Sequence, residues 1–167
     1  MQYSEITDSI HELNSILQKR DEFIRACAEV LVKQLTGSKI GFPENEICVQ
    51  PVGAEVEDSR SYHFRELPTD YSDGRRGFQI RFAKSHRGYL SGVIVLVKWV
   101  FSIEGDKMTA QMPGETESFE TSIDRPGALT FIDTLAHKTT TQIKKSLGDL
   151  SSDPSVKRTM GFHEINS

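Results

Sequence analysis

No hydrophobic run in this chain is long. The longest, Val93–Val97, falls far below the ~20 apolar residues a membrane-spanning helix needs. The first residues, Met-Gln-Tyr-Ser-Glu, are polar and form no signal-peptide pattern. The expectation is a soluble, cytoplasmic protein with no membrane partner. Cysteine is scarce: Cys27 and Cys48 fall on a helix stripe and in a strand, and read as two buried thiols in a reducing compartment. Recognisable site chemistry is missing too. There is no H-E-x-x-H, no C-x-x-C pair, no EF-hand loop, no G-x-S-x-G elbow and no G-x-x-x-x-G-K-[ST] phosphate loop. The expectation is therefore no metal, no cofactor and a non-enzymatic role. The acidic trio Glu55, Glu57 and Asp58 reads as a solvated loop, because it lacks the regularly spaced oxygen ligands that a hard cation takes. Proline and glycine are absent before Gly37, so nothing interrupts a helix there. Acidic residues are absent from Gly74 to Ile103.

What is present fits one ordinary domain. The 167 residues are 37% hydrophobic and 26% charged, enough to build a core without disulfides or metal. The net charge of -4 argues against a general nucleic-acid binder, which needs a strong basic excess.

Ile6, Ile10, Leu13, Leu17, Ile24, Cys27 and Leu31 recur at alternating steps of four and three, with Arg20 in the one remaining slot. Ile16, Phe23 and Val30 widen the stripe. This predicts a helix of about 26 to 32 residues, roughly 40–48 Å long, beginning near Ile6 or at a capping box of Ser9 with Glu12. A six-residue strand spans only about 20 Å. The helix must therefore cross its sheet diagonally, overhang it, or pack on another chain, and the spacing suits a homodimer through helix 6–35.

The centre reads as an antiparallel meander. Ile47 to Val52 is a short strand limited by Pro51. Ser61 to Glu66 alternates, as do Phe78, Ile80 and Phe82 after a loop from Pro68 to Gly77. Leu90 to Glu104 is a β run long enough to require a bend or bulge. Gly105-Asp106 and Pro113-Gly114 are turns, flanking strands at Lys107–Met112 and Glu117–Ile123. A second amphipathic helix starts near Pro126 and stops at Gly148. Residues 1–150 thus form a single α+β domain: a β-meander of five to six strands, with a long N-terminal helix and a C-terminal helix packed on one face. Residues 151–167 read as a polar, flexible tail. The order of elements resembles, in outline, small bacterial immunity or inhibitor proteins, and also cone-shaped folds in which a curved sheet closes around a helix. No motif accompanies that outline, so it implies no site residue.

The charge is split along the chain. Glu44 to Asp73 is acidic, opposed only by Arg60 and Arg65, whereas Gly74 to Ile103 carries Arg75, Arg76, Arg81, Lys84, His86, Arg87 and Lys98. Strand alternation puts His63, Arg65, Arg81 and Lys98 on the sheet face opposite the aromatic core, as a basic stripe suited to carboxylates or phosphates. Arg75 and Arg76 fall in one turn and His86 and Arg87 in the next, common positions for binding groups, although consecutive turns of a meander lie at opposite ends of the sheet and would meet only if the long strands bend. His63 is the one histidine placed for acid–base work. The leading expectation is an inhibitor, adaptor or immunity-type module whose partner is another protein, met through charged surface and the long helix. The alternatives are nucleic-acid or phosphate binding by the basic stretch 75–98, and a carrier or hydrolase with a cavity inside a curved sheet.

Overall fold

With no helix breaker before Gly37, α1 runs unbroken over Tyr3–Thr36, 34 residues or about 51 Å. It begins earlier than the Ser9 box suggests. The Glu5 carboxylate accepts the Gln2 backbone N–H at 3.0 Å, while the Ser9 hydroxyl donates to the Glu5 carbonyl at 2.9 Å, a bond internal to the helix. Gly37 ends it, its N–H reaching the Gln34 carbonyl at 3.3 Å. The computed structural model describes residues 2–54, 69–70, 76–85, 92–123, 128–152 and 162–166. The strand expected at Ser61 to Glu66 lies outside them.

The chain is an α+β fold with an antiparallel sheet, as its periodicity requires. The strands are β1 (Ile47–Gln50), β2 (Thr69–Asp70), β3 (Arg76–Ser85), β4 (Gly92–Glu104), β5 (Lys107–Gln111), β6 (Ser118–Ser122) and β7 (Phe162–Asn166), with α2 (Ala128–Ser152) between β6 and β7. The sheet order is β1-β3-β4-β5-β6, with β2 added to β3 and β7 to β4. The β4–β5 hairpin closes on Gly105 at φ 64°, a left-handed turn conformation that glycine adopts freely.

Several expectations change. Arg76 and Gly77 belong to β3 rather than to a turn, because Gly77 faces Val100 in the ladder. A Cβ on Gly77 would lie 1.9 Å from the Trp99 carbonyl oxygen, so only glycine permits this close strand approach. The β3–β4 register runs without a slip from Ser85↔Gly92 to Arg76↔Phe101. The long strand β4 is accommodated by a change of partner, not by a bulge: β7 along Gly92–Leu96, then β5 along Val100–Glu104. α2 continues through Gly148 to Ser152. The segment read as a tail contributes β7, parallel to β4.

The core lies between one sheet face and the helices. Phe78, Ile80, Phe82, Val95, Val97, Trp99 and Phe101 meet Ile24, Cys27, Leu31 and Leu35 of α1 and Phe131, Leu135 and Ile143 of α2. The Trp99 indole N–H donates to the Thr139 hydroxyl at 2.9 Å, which in turn donates to the Leu135 carbonyl, tying β4 to α2 through a satisfied buried polar chain. The opposite face is buried as well, at Gln50, Gln79, Ile94, Leu96 and Val100.

Candidate functional site

The basic stripe does not form an open surface where it is described. Arg81 is only 9% exposed; in the ladder it lies between Cys48 of β1 and Leu96 of β4. Lys98 shares that face but stands across from Gln79, one step out of line with Arg81. The Gln79 amide donates to Gln50 Oε1 at 3.1 Å in a buried pair. Sequence alternation placed Arg81 and Lys98 on one face correctly, but it carried no information on whether that face is covered. Arg76 lies on the other face, and its Nη1 meets Asp21 Oδ2 of α1 at 3.1 Å. His63, Arg65, Arg75, His86 and Arg87 lie outside the described residues. Among the described residues no group of three or more His, Cys, Asp or Glu is placed to hold a metal ion.

Among the described residues, the sheet face toward the helices is filled by the aromatic core. A half-open cleft of about 1000 Å³ lies instead beside that core, where the loop after α1 faces α2 and β3. Its walls include Phe42, Phe82, Ala136 and Ile143, with Lys39, Lys84 and Lys144 around them and Asp133 and Glu46 partly offsetting their charge. The Phe42 and Phe82 rings meet edge to face at 5.4 Å.

The strongest surface feature is the N-terminal half of α1. Burial along this helix is divided. Ile24, Cys27, Ala28, Leu31 and Leu35 are covered by the sheet and α2, whereas Tyr3, Ile6, Ile10, Leu13 and Ile16 are 39–86% exposed. The split coincides with a charge cluster. Asp21 Oδ1 takes Arg20 Nε at 3.1 Å while its other oxygen holds Arg76, all three side chains being largely buried. Asp21 thus pins α1 to β3 at the place where the helix leaves the body.

The exposed side chains point the same way as the buried ones. Ile6 and Ile24, Ile10 and Ala28, Leu13 and Leu31, and Leu17 and Leu35 are each eighteen residues apart, which is five turns of helix at 3.6 residues per turn. The face that packs on the sheet therefore continues outward as an uncovered apolar strip on an arm about 25 Å long. Positions beside the strip are Thr7, Ser9, Asn14 and Ile16, none charged, and the charges Glu5, Asp8 and Glu12 stand on the outer side. A helix adapted to solvent would carry charge beside its apolar positions; this one has it cleared away. The stripe was evident in the sequence. Its division into a covered and an uncovered half was not, because the reach of the sheet is a tertiary property.

Comparison with protein-family models, curated proteins and solved structures finds no match to this chain, so the functional reading rests on its geometry.

Proposed function

We propose that this chain is a protein-interaction module that engages its partner through the overhanging arm of α1. The observation that carries the reading is the run of large apolar side chains left uncovered in register with the chain's own core stripe. Isolated helices of this length are marginal in water. The arm is held by its continuity with the packed half, and a partner surface laid along it supplies the missing cover. Apolar strips of this kind on soluble proteins mark interaction sites.

The same geometry weighs against the other two readings. A nucleic-acid site on the stretch 75–98 has Arg76 committed to Asp21 and Arg81 buried. The arm itself repels phosphate, having Glu5, Asp8 and Glu12 and no lysine or arginine before Lys19. The sheet face toward the helices, where a carrier's cavity would lie, is packed with aromatic side chains among the described residues, and the cleft lies beside that core.

The test is to compare the wild-type chain with the double variant Ile10→Glu, Leu13→Glu as bait in a native lysate. Both positions are half exposed, so the variant retains the native fluorescence of Trp99. The expected outcome is loss of the proteins captured specifically by the wild type. Equal capture by the two baits, from a chain that is also monomeric, rejects the reading.

A further inference from the structure

Given that the arm is a docking surface, we infer that its occupant is the arm of a second copy of this chain, laid antiparallel so that each arm fills the step beneath the other. Three features of the arm specify this partner.

The first is direction. The body of the molecule, sheet and α2, lies on the same side of α1 as the exposed strip, because strip and buried stripe share one face. Two copies paired in parallel, strip to strip, would drive each body into the space the other's Ile24–Leu35 segment must occupy. Antiparallel pairing places the bodies at opposite ends and leaves both arms free to meet.

The second is length. Pairing Ile6 with Leu17 and Ile10 with Leu13 of the other copy brings every apolar strip residue between them into a shared layer. The same register sets Tyr3, the first residue of α1, at the level of Arg20, beside the ion cluster where the body begins. Each strip then faces the whole of the other, as a two-fold arrangement requires. Five exposed apolar side chains from each copy, with the stems around them, bury on the order of 1,000 Å², the threshold of a specific interface.

The third is charge. Glu5, Asp8 and Glu12 stand on the outer side of the arm, away from the strip that meets the other copy. The strip flanks carry no charge that opposes close approach.

The test uses the full chain. Sedimentation equilibrium at micromolar concentration is expected to give twice the 18.8 kDa chain mass. Leu13→Glu is expected to return a single-chain mass with unchanged helical circular dichroism. Differently tagged Ile6→Cys and Leu17→Cys chains, mixed and oxidised, are expected to form a disulfide between copies that joins position 6 of one to position 17 of the other, located by mass spectrometry. A wild-type chain that sediments at its single mass overturns the proposal, and so do same-site links outnumbering the mixed one, which would mean parallel pairing. The outcomes separate the two levels of the reading. A monomeric wild type whose capture of other proteins is still lost in the Ile10→Glu, Leu13→Glu variant rejects the dimer alone; a monomer whose capture is unchanged rejects the docking arm as well.

Discussion

Trp99 is the chain's one tryptophan, and its indole N–H is satisfied only because a threonine occupies position 139 of the helix above it. Replacing Thr139 by valine keeps the shape and leaves a buried donor unmet. The expected loss is about 1–3 kcal/mol in urea unfolding, with a shift in Trp99 emission as the local signature. Cys27 offers a second measurable property at this scale. Burial pushes its thiol up from 9.0 to about 12. The unfolded chain therefore releases that proton at a pH where the folded chain keeps it. Between about pH 9 and 12 the unfolded state binds fewer protons, so stability falls as pH rises, by up to about 1.4 kcal/mol per pH unit from this group. Urea titrations of wild type and Cys27→Ala across that range should show the variant with the shallower decline. Gly77 shows what a sequence pattern leaves unsaid. Its type suggested a turn, whereas its place is mid-ladder beside a carbonyl oxygen that excludes any side chain.

At the level of elements, α1 is two structures in one helix. From Ile24 onward it is a core helix, and before Arg20 it is an arm. Asp21 marks the boundary by holding one arginine of its own helix and one of β3. Removing its carboxylate in Asp21→Ala leaves both guanidinium groups without that partner in a largely buried setting. The expected cost is about 2 kcal/mol, or roughly 4–8 °C in melting temperature for a chain of this size. Calorimetry checks it, and an unchanged melting temperature would show that the cluster does not hold α1 to β3. β4 makes the complementary point. Its length predicted a bend or bulge, as a run too long for one flat strand. The structure gives it β7 and β5 in succession along one edge, and the register with β3 stays regular. Parallel pairing of β7 with β4 needs a crossover between them rather than a hairpin, and nothing local to Phe162–Asn166 signals that destination.

For the whole molecule, local physics was sufficient for the class of fold. Alternation of apolar residues, short turns and uninterrupted helical stripes specify a long helix, an antiparallel sheet and a second helix, because each depends only on neighbours along the chain. The same patterns brought Arg81 and Lys98 to one sheet face and marked Ile6 to Leu31 as a single apolar stripe. The tertiary structure alone decided which of those surfaces remain open. Arg81 became an interior residue, and the first half of the apolar stripe became surface, since burial depends on how far each layer extends over the next. A sheet narrower than a helix of about 51 Å cannot cover its whole length, and that mismatch in size leaves part of an ordinary core pattern as exposed apolar surface.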